Sequence, residues 1–278
     1  MSKTATKLSS RALVKNDWPV KELGGLTLLF SPLLSAVPSL VHCFTTRKGG
    51  ESPPPLDCFN LGRHWPTEES KQDAMRNRSR LCAALSLDFT RLVVPGQVHS
   101  TNIAWVSDPE NLPEVDGVAT ASPNTPILLH YADCVPIILF ERELKVLAVL
   151  HAGWRGTAGG IATRAVSFMV ETLSLKPAKM LAAIGPAIGS CCYQVGADVA
   201  EKLSNTVKHG DRLIVWRDQL PYPDLRAINA MQLLEAGVHD VDVSSVCTAC
   251  QPQLFYSHRQ SAGQTGRQGA LAAINESM

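Results

Sequence analysis

Between Leu26 and Thr46 the chain is largely apolar, is broken at Pro32 and Pro38, and ends in Arg47-Lys48-Gly49-Gly50. This pattern predicts short strands followed by a turn. Thr67-Glu68-Glu69-Ser70 then places a capping residue and two acids ahead of Met75, Leu81, Ala84 and Leu85. That spacing predicts an amphipathic helix from about 68 to 85, with strands resuming at Leu92. Two apolar runs, Val135 to Phe140 and Val146 to Leu150, flank Glu141-Arg142-Glu143 and predict a β-hairpin. A turn centred on Arg142 and Glu143 would set Cys134 directly opposite His151, where cross-strand neighbours share a face with Cβ atoms about 4.5 to 5.5 Å apart. Gly153 and Gly156 follow, and Thr157 reads as the N-cap of a helix running to about Leu175. Strands are expected near Met180 to Ile184 and Val241 to Val246, which makes the class mixed α and β.

The chain has 278 residues and shows neither a fixed repeat nor a low-complexity divider, so one continuous domain over 21–278 behind a loose tail over 1–20 is expected. Hydrophobic residues make up 45% and charged residues 18%, against about 25% charged in an average domain, which describes a large interior. Lys plus Arg (26) nearly balances Asp plus Glu (25), so the broad positive field that nucleic acid requires is missing. No apolar run approaches the roughly 20 residues that span a bilayer. No signal-like stretch follows Met1, and eight cysteines therefore point to a reducing compartment, the cytoplasm, more than to disulfides. Residues 1–16 carry Lys3, Lys7, Arg11 and Lys15 and no acid, a composition that also suits an organelle transit peptide.

His99, in Gln97-Val98-His99, finishes a third apolar run, Cys134 opens one hairpin strand and His151 ends the next. Two imidazoles and a thiolate at three strand ends could hold Zn²⁺ with its fourth position open, the catalytic arrangement. The alternative is a half-buried core cysteine with two histidines bonded to backbone carbonyls. A multicopper oxidase needs clustered histidines, whereas the eight here are scattered with no HxH pair. Arg47 and Arg155 are candidates to hold an anion. Cys247-Thr248-Ala249-Cys250 is one CxxC without a second, and it and the vicinal Cys191-Cys192 read first as packed loops.

At these residues the sequence resembles the YfiH family, also labelled polyphenol oxidase or laccase-domain proteins and purine nucleoside phosphorylases. The resemblance rests on TTRKGG (Thr45 to Gly50), Asn60-Leu61-Gly62, Gln97-Val98-His99, Asp116-Gly117, ADCVP (Ala132 to Pro136), HAGWRG (His151 to Gly156), GPAIGSCCYQV (Gly185 to Val195), Cys247 to Cys250 and Thr265-Gly266-Arg267. The family pattern is left at Arg63-His64-Trp65-Pro66 and at Ser100. The resemblance implies a single-domain, four-layer α/β/β/α sandwich with mixed sheets and a fold similar to that of a deamidating bacterial toxin. It also implies a zinc held by His99, Cys134 and His151, with copper as the lesser option. The implied reaction is phosphorolysis of adenosine, inosine, guanosine or methylthioadenosine to base and sugar 1-phosphate, with adenosine deamination as a second activity, in a monomer or weak homodimer. Asp133 is the candidate acid-base group on adjacency alone; because neighbours on a regular strand face opposite ways, it joins the site only where the backbone is irregular and is otherwise a supporting or turn residue. Arg47 and Arg155 would fix phosphate, and Asn60 and Gln97 would bond sugar or base. A laccase-like side activity, and a Cys134–His151 hydrolase of amides or esters, are the other readings.

Overall fold

The computed structural model describes residues 15–276. In chain order its strands are Lys15–Asn16 (β1), Val20–Leu23 (β2), Leu26–Leu29 (β3), Leu40–Thr45 (β4), Ile103–Trp105 (β5), Gly117–Thr120 (β6), Ile127–Tyr131 (β7), Val135–Glu141 (β8) and Val146–Ala152 (β9), then Met180–Ile184 (β10), Ile214–Arg217 (β11), Leu220–Pro223 (β12), Asp240–Ser244 (β13) and Gln268–Ile274 (β14). The α-helices are Pro32–Ser35 (α1), Glu68–Ala84 (α2), Trp154–Ala158 (α3), Ile161–Leu173 (α4), Ala197–Ser204 (α5) and Leu225–Glu235 (α6). A seven-stranded mixed sheet runs β1-β13-β10-β8-β9-β6-β5, and a five-stranded sheet, antiparallel throughout, runs β2-β3-β4-β14-β7.

The layers follow from the period-two alternation of strands that are buried on both faces. On β8, Ile137 and Leu139 pack with Ile161, Ala165 and Met169 of α4 and Ile228 of α6, while Ile138 and Phe140 face Phe44, Leu129 and Ala272 of the second sheet. The outer face of that second sheet, with Leu28, Cys43 and Leu271, is covered by Leu81 and Cys82 of α2. The order is therefore helices, sheet, sheet, helix, the four-layer α/β/β/α sandwich. Each of the large side chains in the middle layer contributes about 2 kcal/mol by leaving water.

Residues 15 to 20 are not part of a loose tail: β1 pairs in parallel with β13 and Trp18 is buried, its Nε1 donating to Asp242 Oδ1 at 3.0 Å. The rest of the expected tail, and with it nearly all of the possible transit peptide, lies outside the described residues. The hairpin turn takes Arg142 to Lys145, so Glu141 pairs with Val146, and Pro136, not Cys134, lies opposite His151. This two-place slip leaves Cys134 and His151 on the same face, which a one-place slip would not. Thr157 lies inside α3, whose N-cap is Gly153, and Gly160 in the left-handed region (φ 74°) separates α3 from α4. Met75 is exposed, because α2 turns inward a largely polar face of Ser70, Asp73, Asn77 and Arg78 that serves the neighbouring loops. Among the described residues no helix is long and apolar enough to cross a membrane.

Candidate metal centre

At one end of the larger sheet the donor atoms of His99, Cys134 and His151 lie within 4.8 Å of one another. Tetrahedral zinc with Zn–S near 2.3 Å and Zn–N near 2.05 Å separates such donors by about 3.4–3.6 Å, so the cluster is within a small side-chain adjustment of that geometry. His151 ends β9. Cys134 precedes β8, next to Asp133 at φ 84°. His99 does not end a strand: it sits on the loop before β5 at φ 63°, a left-handed backbone that costs a non-glycine residue about 1 kcal/mol or more.

What holds that loop is Asp116, a residue to which the sequence assigned no role. Its carboxylate is fully buried and accepts from the backbone N–H of Val98 (3.2 Å), His99 (3.1 Å) and Ser100 (2.6 Å) and from Ser100 Oγ (2.7 Å). It also lies 2.7 Å from His151 Nδ1. Five bonds to one carboxylate both strap the His99 loop down and fix the His151 tautomer, leaving Nε2 for the thiol side, as carboxylate–histidine–metal arrangements require. Burial opposes ionisation of Asp116, but the bonds from His151 and Ser100 hold it down at about 2. Burial likewise pushes the Cys134 thiol up, and the facing charge of His151 with hydrogen bonds from both histidines brings it down to about 6. His151, which burial alone would lower, is raised to about 9 by Cys134 and Asp116. Cys134 and His151 thus favour a thiolate matched by positive charge, a charge that a divalent cation could supply. Gly153 leaves the room: a Cβ there would lie 3.1 Å from Cys134 Sγ and 2.9 Å from His99 Cδ2.

The cluster forms the floor of a cleft of about 810 Å³, whose walls carry Arg63, Lys71, Arg78, Arg155 and Arg267 and no carboxylate. Arg78 reaches it from α2 because its Nε donates to Leu61 O at 2.9 Å and its Nη2 meets His130 Nε2 at 3.2 Å. Arg267 is held by bonds from Nη1 to the carbonyls of Thr265 and Gly266 at 3.0 and 2.9 Å. The sequence assigned neither arginine a role: Arg78 is one of three closely spaced arginines on α2, Arg267 was marked only by the motif Thr265-Gly266-Arg267, and their neighbours in space are distant along the chain.

The expected substrate residues divide. Arg155 lines the cleft, its guanidinium over the Trp154 ring. Arg47 does not: it bonds Asp57 O, Pro252 O and the Asp57 carboxylate and stacks on Tyr256. Asn60 is fully buried, and its amide bonds Gly62 and Arg267 N, shaping the loop rather than meeting a ligand. Gln97 lines the cleft, but both ends of its amide are engaged by the backbone of His130 at 2.9 and 2.8 Å. Asp133 is displaced from the acid-base role. Although its backbone is irregular, its two carboxylate oxygens accept from Thr248 Oγ1 and Arg259 N, both at 2.7 Å, and it does not line the cleft.

Residues 41–275 match the family described as "Multi-copper polyphenol oxidoreductase laccase". The chain is 38% identical over 260 residues to "Purine nucleoside phosphorylase YlmD" of Geobacillus stearothermophilus, covering 88% of this chain and 92% of that protein. A Deinococcus radiodurans protein named purine nucleoside phosphorylase is 38% identical over 253 residues, covering 90% and 94%. Among solved structures, the Bacillus licheniformis hypothetical protein YfiH superposes with a TM-score of 0.86 at 32% identity over 92% of this chain and 99% of that one. The crystal structure of YlmD from Geobacillus stearothermophilus gives 0.85 at 35% identity over 94% and 100%.

Proposed function

Because the chain belongs to this laccase-like, YfiH family, we propose that it is a zinc-dependent purine nucleoside phosphorylase that also deaminates adenosine. The observation that carries the reading is the cleft itself, with two imidazoles and a thiolate on its floor and five cations but no carboxylate on its walls. Zinc, when bound to His99, Cys134 and His151, supplies a Lewis acid that polarises an oxygen in the cleft. Two imidazoles and one thiolate with an open fourth direction suit zinc. No methionine lines the cleft to serve as the long axial ligand of an electron-transfer copper, and among the described residues the other soft cluster is all cysteine.

The protein's own groups then do three things. Arg78, Arg155 and Arg267 hold phosphate against the sugar and offset the charge that develops as its oxygen bonds to the anomeric carbon and the glycosidic C–N bond breaks. Asp116 keeps His99 and His151 in place. Proton delivery to the departing base, or to the ammonia of the deamination, falls to an imidazole of the cleft wall such as His258, or to solvent, because no carboxylate is within the lining.

Incubation with adenosine, inosine and methylthioadenosine, with and without phosphate, tests the reading by product identification. Base and sugar 1-phosphate are expected only with phosphate, and inosine from adenosine without it. No turnover of any of the three overturns the proposal. The thiolate–imidazolium pairing of Cys134 and His151 favours one second reading, a metal-independent Cys–His hydrolase. Activity unaffected by a chelator but abolished by iodoacetamide would select it.

A further inference from the structure

Four of the remaining cysteines come together on the far side of Asp133. Cys191 and Cys192 lie in the turn after β10, and Cys247 and Cys250 in the turn after β13. Because β10 and β13 are adjacent and parallel, their exits fall at the same end of the sheet. A bridge between Ala187 and Cys247, with Thr248 N donating to Ala187 O at 3.2 Å, ties the two exits together. All four sulfurs lie within 4.8 Å of one another, with Cys250 Sγ 3.5 Å from Cys191 Sγ and 3.4 Å from Cys192 Sγ. We propose that these four thiols are a second metal site, closed and structural, which binds one zinc ion as a tetrathiolate.

The distances decide between this and the other chemistries of grouped cysteines. A disulfide needs sulfurs about 2.05 Å apart in exclusive pairs, whereas Cys250 is shared almost equally between two partners. Four sulfurs around one zinc at about 2.3 Å stand about 3.8 Å apart along the tetrahedral edges, close to the spacing seen. A multi-iron core would force them further apart than this cluster allows. The surroundings are those of a thiolate site. Gly189 N donates to Cys247 Sγ at 3.2 Å, and a Cβ at Gly189 would come within 3.1 Å of both Cys191 Sγ and Arg226 Nη2. Arg226 is buried, bonds the carbonyls of Ser244 and Val246, and leaves its Nε without a partner. Zinc with four thiolates carries a charge of about −2, and this guanidinium is placed to compensate part of it. On binding, each thiol releases its proton to solvent and no redox partner is needed. Cys191 and Cys250 are exposed, so the ion has a way in.

The site would pin both turns to the segment that carries Cys134. Thr248 Oγ1 bonds the Asp133 carboxylate, and Ile188 N donates to Asp133 O at 3.0 Å. Its role is therefore to hold a neighbouring loop, and its existence does not depend on what the cleft does.

Native mass spectrometry and elemental analysis of the full chain, purified with zinc and without oxidant, test the proposal. The parent should carry two zinc ions, the Cys134→Ala variant and the Cys247→Ser/Cys250→Ser variant one each, and the combined variant none. Cobalt substitution of Cys134→Ala should give the intense thiolate-to-cobalt charge-transfer absorption of a tetrathiolate site. A single ion in the parent that disappears with Cys134→Ala overturns the proposal. So does an intact mass showing that pairs among the four thiols have formed disulfides under these oxidant-free conditions. The parent measurement needs no variant to fold, and neither result bears on nucleoside turnover.

Discussion

The two sulfur-bearing clusters of this molecule flank one residue, Asp133, and differ in what they leave free. A divalent ion held by the two imidazoles and one thiolate on the floor of the cleft would carry a net charge near +1 and keep one open coordination position. The four-cysteine group offers four thiolates, so the same ion leaves about −2 and no open position. With an ion bound, the first would draw anions into a cleft already rich in arginine, and the second would repel them, with Arg226 beside Gly189 to offset part of its charge. Ligand count, more than the presence of cysteine or zinc, separates a reacting centre from a staple. The largest effect should show this directly: Cys134→Ala should lower kcat/KM for phosphorolysis by about 10³-fold or more, whereas Cys250→Ser should leave it within about threefold, given that losing a single transition-state contact already costs 10²–10³. Equal losses in the two variants would break the distinction.

The next effect concerns what keeps the open site in shape. Asp116→Asn keeps the size of the side chain but replaces an acceptor-only group by one that cannot take bonds from Val98, His99, Ser100 and His151 together. Loss of a carboxylate behind a metal-bound histidine costs about 10- to 100-fold in metal affinity or activity, and competition with a chelator should place the variant in that range. Zinc at the cysteine cluster should stay, since nothing there touches Asp116. A smaller and more selective change is expected of Arg267→Met, which keeps the stem that packs against Gly62 and removes the fork. The KM for phosphate should rise about tenfold, in line with the worth of one charged hydrogen bond, with the nucleoside KM little altered. A rise in both would move Arg267 from phosphate binding to general structure.

The legibility of these features in the sequence follows the range of the contacts that make them. The hairpin was readable because its two apolar runs are separated by a few polar residues, and it brought Cys134 and His151 to one face even though the turn is longer than expected. Helix α2 was readable from Thr67 and its acids, but its inward face was not. Asn77 and Arg78 are buried because loops from elsewhere need their hydrogen bonds, and no local periodicity records that. Asp116 bonds residues 16 to 35 positions away, and the backbone of Arg267 meets Asn60 across 207, so only the short motifs around them, Asp116-Gly117 and Thr265-Gly266-Arg267, marked them at all. Arg47 and Asn60 show the opposite failure. Their motifs stood out, but buried hydrogen bonds give them a task in building the loops. The four cysteines read as two unrelated pairs because a parallel crossover, which sequence spacing cannot reveal, brings them together.

The smallest expected effect uses a feature that both clusters share, a glycine beside the sulfur. At Gly153 an added Cβ would lie 3.1 Å from Cys134 Sγ and 2.9 Å from His99 Cδ2, and at Gly189 it would lie 3.1 Å from Cys191 Sγ. Both positions have ordinary backbone angles, so Gly153→Ala and Gly189→Ala act through crowding alone. In the cleft the crowded atoms are two of only three ligands. His99 can swing outward because it is exposed, but each tenth of an ångström it yields comes out of the coordination geometry. A loss of about five- to twelvefold in zinc affinity there, without loss of folding, follows from overpacking of 1–1.5 kcal/mol. In the cysteine cluster the crowded ligand is one of four and lies on an exposed turn that can relax, so Gly189→Ala should weaken binding less. Separate cobalt titrations of the two variants would measure the difference, and a reversed order would mean that the cysteine turns are the more rigid of the two.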